Sequence, residues 1–143
     1  MLNKIFVDAD SCNLRVVKFL QNFVSNRNVE LILVANRHLN LKILNNTSVK
    51  IARDVDSLIL RLIDRNSMVI TRDISFVKNL LNLKVKVMND EGQVFDTNNI
   101  NYLYFRSKLN INLGIKVKKY FREDANQKKY SNFAMNFHSL FFN

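Results

Sequence analysis

The apolar positions of the chain change period several times, and each change marks an element. Residues 3–8 hold a short unbroken apolar run, Ile5-Phe6-Val7, which reads as a buried strand. Across 11–26 the period becomes helical. Leu14, Val17, Leu20 and Val24 fall on one face, Val16, Phe19 and Phe23 widen it, and Ser11 is the expected N-cap. Val29–Ala35, apolar apart from Glu30, reads as a second strand. A polar link around Asn45, Asn46 and Thr47 leads to a short strand near Val49–Ala52. Asp54 is placed to cap a helix over 55–65, whose apolar face is Leu58, Ile59, Leu62 and Ile63. Met68–Thr71 reads as a strand, 74–82 as a helix, Lys84–Met88 as a strand, and Asn89-Asp90-Glu91-Gly92 as a turn. The spacing predicts helices over 98–109 and 126–142, the last rich in Phe and Tyr.

Strands that alternate with helices predict an α/β fold, a three-layer domain with a mostly parallel central sheet covered on both faces. The expected domain spans 1–143, with a C-terminal helical segment over about 98–142. In such a sheet right-handed crossovers bring the strands' C-terminal ends to one edge, where ligands bind. Asp8 and Asp10 follow the first strand, Asp54 and Asp56 the third, and Asp73 the fourth. Segments far apart in sequence are therefore expected to deliver carboxylates to the same edge. Aspartate is also a common helix N-cap, so Asp54 has a purely structural reading beside the functional one.

Composition sharpens this picture. At 143 residues the chain suits one domain. No apolar run approaches the ~20 residues of a membrane span, so no membrane is expected. The N-terminus shows no signal-like pattern, and the lone Cys12 fits a reducing compartment, so the expected location is cytoplasmic. The net charge of +10 favours polyanions, nucleic acid above all, although a Lys- and Asn-rich composition also arises from genome bias. Nine of the twelve acids are Asp, so they are not spread as helix-surface filler, for which Glu is the better residue. Gathered carboxylates repel one another unless a hard cation neutralises them, and Mg²⁺ or Mn²⁺ suits all-oxygen ligands. Such ions activate water and stabilise the leaving oxygen of a phosphodiester. An acidic pocket within a basic surface is the charge plan of a nuclease.

Three stretches carry a family resemblance: Val7-Asp8-Ala9-Asp10-Ser11-Cys12, Leu33-Val34-Ala35-Asn36 and Val69-Ile70-Thr71-Arg72-Asp73-Ile74. In order and spacing they resemble the bacterial YaiI/YqxD family, and Asn89-Asp90-Glu91-Gly92 and Asn99-Ile100 continue the match. That family looks PIN-like, the fold of many Mg²⁺-dependent ribonucleases. The resemblance implies a PIN-like, Rossmann-like domain and a metal-dependent nuclease acting on RNA. Asp8, Asp10, Asp56 and Asp73 would be the catalytic and metal-holding residues, and Thr71, Arg72 and Arg106 substrate contacts, while Asn36, at the end of a strand on the same edge, has a turn role open beside that of orienting a water or phosphate. The chain departs from the family pattern in three places. Asn13 stands where the family has Pro, Arg53-Asp54-Val55-Asp56-Ser57 replaces a motif with adjacent acids, and Ile115–Lys119 replaces a Gly-Gly-Pro stretch.

Other residues carry less. Cys12 at a helix start reads as a small buried side chain rather than a nucleophile. His38 and His138 have no partners at metal or triad spacing. The stretch 106–129 holds eight Lys or Arg against two acids, with Tyr120 and Phe121 among them, and suits single-stranded RNA or a solvated helix face. Two other functions compete with the nuclease. One is a non-catalytic RNA-binding module of the same fold. The other is a phosphatase of the haloacid dehalogenase type, whose opening motif is also Asp-x-Asp after an apolar strand.

Overall fold

The computed structural model describes residues 1–112 and 123–143. The chain runs β1 (Lys4–Asp8), α1 (Leu14–Val24), β2 (Glu30–Ala35), β3 (Thr47–Ile51), α2 (Val55–Leu62), β4 (Ser67–Ile70), α3 (Ile74–Asn82), β5 (Lys86–Met88), β6 (Val94–Phe95), α4 (Ile100–Asn112) and α5 (Glu123–Phe142). The six strands form one sheet in the order β3-β2-β1-β4-β5-β6, parallel except for β6, which pairs antiparallel with β5. The architecture is thus the expected three-layer, Rossmann-like α/β domain. Chain order reverses at β1, which has β2 on one side and β4 on the other, so the topological switch point lies between β1 and β4.

The strands are apolar on both faces because helices cover both. Alternate residues feed two cores. Ile5, Val7, Leu31, Leu33, Met68 and Ile70 face α1 and α5, while Phe6, Ile32, Val34, Val69 and Val87 face α2, α3 and α4. The first core is built around an aromatic seam. Phe19 and Phe23 of α1 meet Phe133, Phe137 and Phe141 of α5 edge-on, with ring centroids 5.0–5.8 Å apart. Each buried Phe contributes roughly 1.5–3 kcal/mol of transfer free energy, so α5 is held by its aromatic stripe. The long β2–β3 connection is pinned by buried Gln21, whose side-chain amide donates to the Lys42 carbonyl (3.2 Å) and accepts from the Leu44 N–H (2.8 Å).

Several boundaries differ from the expected ones for local reasons. Asn13, not Ser11, caps α1. Its Oδ1 accepts from the Arg15 N–H at 2.8 Å, and the helix begins at Leu14. The helix expected over 55–65 stops at Leu62 because Ile63 turns extended. Lys84 has φ of +60° and closes the end of α3, with its N–H on the Leu81 carbonyl, so β5 starts at Lys86 rather than Lys84. The last helix begins at Glu123, ahead of the expected 126. The expectation missed β6, whose two residues are too few to show a period. The stretch Ile115–Lys119, and Tyr120 and Phe121 with it, lies outside the described residues.

Candidate functional site at the carboxyl edge of the sheet

Asp8 ends β1 and shares its parity with Phe6, so its carboxylate leaves the sheet on the side of α2 and α3. There it meets the β4–α3 turn. The Thr71 hydroxyl donates to Asp8 Oδ2 at 3.2 Å and its oxygen accepts from the Asp73 N–H at 3.2 Å. Asp73 is the N-cap of α3, accepting from the Phe76 N–H at 3.2 Å. The third strand brings α2, capped by Asp54, which accepts from the Ser57 N–H at 3.2 Å and the Ser57 hydroxyl at 2.8 Å. Asp56 lies in the first turn of that helix. Two helix N-termini, with their partial positive charge, therefore open onto the same edge as the end of β1.

The carboxylates feel one another. Burial raises the pKa of Asp8, the Thr71 hydrogen bond opposes this, and the charges of Asp10 and Asp73 raise it further. Asp56 is pushed up to about 6, first by burial, then by the charges of Asp73 and Asp8 and a hydrogen bond to Asp73. Asp8, Asp56 and Asp73 thus form one electrostatic unit drawn from three segments. Asp10 adjoins it through Asp8 and turns toward β2. Its Oδ2 accepts from the Asn36 N–H at 2.7 Å, and Oδ1 stays buried without a hydrogen bond, 3.7 Å from Arg37 Nε.

Would these residues suit a metal? Among the described residues no three His, Cys, Asp or Glu side chains are gathered closely enough to hold an ion as they stand. The donor set is nonetheless all-oxygen and mutually repelling, and among the described residues one of its carboxylate oxygens, Asp10 Oδ1, is buried without a hydrogen bond. That chemistry fits a hard divalent cation taking one or two carboxylates and completing its shell with water.

The residues expected to touch substrate are placed differently from one another. Thr71 is buried and spends its hydroxyl on Asp8 and Asp73. Asn36 is exposed, and its backbone N–H binds Asp10. Arg72 is committed to Asp90, with Nε to Oδ1 at 2.6 Å and Nη2 to Oδ2 at 2.7 Å. Arg106 is exposed on α4, and among the described residues no contact joins it to the acids.

Asp90 was not among the expected site residues. Its side chain is 1% exposed and also accepts from the Asn13 N–H at 2.7 Å, so it ties the turns after β1, β4 and β5 together. A proline at position 13 would have no such donor. The Asn-Asp-Glu-Gly turn signalled a loop, but nothing in it signalled that its Asp points inward. Cys12 lies beside this ion pair. Burial first, and then the charge of Asp90, push its thiol well above the ordinary range, so it is a neutral packing group and not a ready nucleophile.

Comparison with known proteins agrees over most of the chain. The profile of the uncharacterized BCR, YaiI/YqxD family matches residues 6–143. A UPF0178 protein of Treponema denticola is 32% identical over 109 residues, 73% of this chain and 69% of its own. Another from Desulfotalea psychrophila is 34% identical over 101 residues, 68% of each chain. A third, from Pseudoalteromonas translucida, is 31% identical over 112 residues, 76% of this chain and 71% of its own. No solved structure matches. Among the described residues no helix is long and apolar enough to cross a membrane.

Proposed function

The chain belongs to the YaiI/YqxD family, and on that premise we propose that it is a PIN-like, metal-dependent nuclease acting on RNA. The observation that supports this reading is that Asp8 and Asp56 are both raised, first by burial and then by neighbouring carboxylates that include Asp73, at the carboxyl edge of a parallel sheet. A protein gains no stability from crowding like charges there, so the arrangement calls for a positive partner. One or two of Asp8, Asp56 and Asp73 would hold Mg²⁺ or Mn²⁺, water completing its shell, with Asp10 beside them. Such an ion would supply charge neutralisation, polarise the phosphoryl oxygen and acidify water. Thr71 orients Asp8 and the backbone of Asp73 at once, and the N-termini of α2 and α3 favour an approaching phosphate.

The test is cleavage of RNA in Mg²⁺ or Mn²⁺ by wild type, Asp8→Asn, Asp73→Asn and Cys12→Ala. Each Asp change should lower the rate at least ~10²-fold, the scale on which removal of a key electrostatic group is felt. Cys12→Ala should leave it within a few-fold. Activity that survives both Asp changes and dies with Cys12→Ala would sink the proposal.

A second reading, an RNA-binding module without catalysis, is favoured by one observation. Ser57, at a position where the family motif has an acid, donates its hydroxyl to Asp54 and leaves the pocket one carboxylate short. It predicts an inert wild type in both metals, with RNA binding unchanged by EDTA and by Asp8→Asn.

A further inference from the structure

Helix α4 is apolar on two sides, and burial accounts for only one. Ile100 and Leu103 face the core beneath α2 and α3. On the opposite side Tyr102, Phe105 and Leu109 recur at helical spacing, and they are 65%, 66% and 42% exposed. Isolated exposed apolar residues need no explanation, but an aligned row of them on one helix does. Cations interleave with this row. Arg106 lies one turn from Tyr102, and Lys108 is exposed between Phe105 and the flank of the helix. On that flank the ammonium groups of Lys78 on α3 and of Lys108 lie over the Tyr104 ring, 4.6 and 5.4 Å from its centroid. The helix carries no acid along its length.

Helix α4 packs along α3, whose N-cap is Asp73. Because β6 runs antiparallel to β5, the chain leaves it heading away from the acidic edge. Asp96 and Asn99 cap the short turn that follows, with Asn99 N–H on Asp96 Oδ1 at 2.8 Å and Leu103 N–H on the Asn99 carbonyl. The helix that follows lies against α3, whose first residue follows Asp73.

We infer that the outer face of α4 is a stacking platform for single-stranded RNA. It deepens the nuclease reading of the acidic edge and rests on it for the choice of RNA. Bases stack on Tyr102 and Phe105, while Arg106, Lys108 and Lys78 contact the backbone phosphates. A strand laid along the helix is led toward Asp73. Duplex RNA hides its base faces and gains only the phosphate contacts there.

The experiment measures fluorescence anisotropy of a short labelled single-stranded RNA, and of its duplex, in EDTA so that no cleavage intervenes. Wild type should prefer the single strand. Tyr102→Ala combined with Phe105→Ala should weaken single-strand binding at least about tenfold, the scale of losing base–aromatic stacking. Both positions are exposed, so the thermal melt should not move. Tyr102→Phe combined with Phe105→Tyr, which keeps both rings, should bind as wild type. Met135→Ala, which removes a 71% exposed apolar side chain on α5, should change nothing. Equal binding by wild type and the alanine pair would overturn the inference. So would sedimentation showing that the alanine pair abolishes self-association while RNA binding is intact, which assigns the face to a second copy. Hydrolysis of bis(p-nitrophenyl) phosphate in Mn²⁺, by wild type against Asp8→Asn, tests the acidic site separately. If that activity is absent while the alanine pair still loses RNA, the platform stands and the nuclease reading falls.

Discussion

At the scale of single residues, Asp56 makes the most direct claim about the site. Its carboxyl is pushed up to about 6 by burial and by Asp73 and Asp8, against 3.8 for a free aspartate. A group whose pKa is higher folded than unfolded binds protons more tightly in the native state, so it supports folding at low pH. That support is complete below about pH 4 and fades as pH rises through about 6. In EDTA the wild type should therefore lose melting temperature between about pH 4 and 7 relative to Asp56→Asn, which at pH 7 should be the more stable protein. Mn²⁺ should restore the wild type at neutral pH and do little for Asp73→Asn; differential scanning fluorimetry reads both. The placing of Asp8 and Asp73 at the carboxyl edge was legible in the sequence because Asp8 closes one apolar run and Asp73 comes just after another. The partnership of Arg72 with Asp90 was not, because it joins two turns whose relative position only the finished sheet defines. Its energetics are asymmetric. Asp90 is buried, while the Arg72 side chain is 44% exposed and can turn to water. Arg72→Ala leaves a buried carboxylate with only the Asn13 N–H, and should cost about 3–5 kcal/mol. Asp90→Ala should cost less, and the double change should be more stable than Arg72→Ala alone, as urea denaturation would show.

Among the elements, legibility followed length and period. Helices α1 and α3 and strands β1, β2 and β4 were readable within a few residues, because each carries an uninterrupted apolar period or run. The two-residue β6 exists only because the Asn89–Gly92 turn folds it back onto β5, with Asn89 N–H on the Gln93 carbonyl at 2.9 Å. The sequence marked that turn but not its second purpose, which is to seat α5. Gly92 has φ of +93°, and a Cβ there would lie 2.7 Å from the Asn132 carbonyl carbon and 2.8 Å from the Phe133 nitrogen. Asn136 Nδ2 donates to the Gly92 carbonyl at 2.7 Å across the same contact. Backbone touches backbone, so neither side can yield by rotating a side chain. Gly92→Ala should therefore cost about 1–3 kcal/mol from the positive φ alone, and more from the displaced helix. Hydrogen exchange should show the loss concentrated in α5 and the aromatic seam, with β1 and β4 still protected. Uniform loss of protection would mean that the helix and sheet unfold as one unit.

For the whole molecule the informative contrast is between local and total charge. The chain carries +10 overall, while at one edge of the sheet burial and neighbouring carboxylates raise the pKa of Asp8 and Asp56. A basic body with an acidic focus attracts a polyanion everywhere except where chemistry is proposed, and a cation is needed to let the phosphate in. Binding and cleavage should therefore separate. Affinity for single-stranded RNA should fall with salt along a straight log–log line, with a slope of about −0.7 for each phosphate neutralised. Four contacts would give about −2.8, a loss of roughly fifty-fold between 50 and 200 mM salt. EDTA should leave that line in place, because the cations that make the contacts owe nothing to the acidic edge. Asp8→Asn should leave the slope unchanged and raise affinity slightly, since it removes a repelling charge, even as it abolishes cleavage. The measurement is an anisotropy titration at several salt concentrations, with and without EDTA, for wild type and Asp8→Asn. A flat salt profile would assign the excess of lysine and arginine to composition rather than to recognition. A slope that collapses in EDTA would instead mean that RNA is held mainly through an ion at the acidic edge, making binding and chemistry one event.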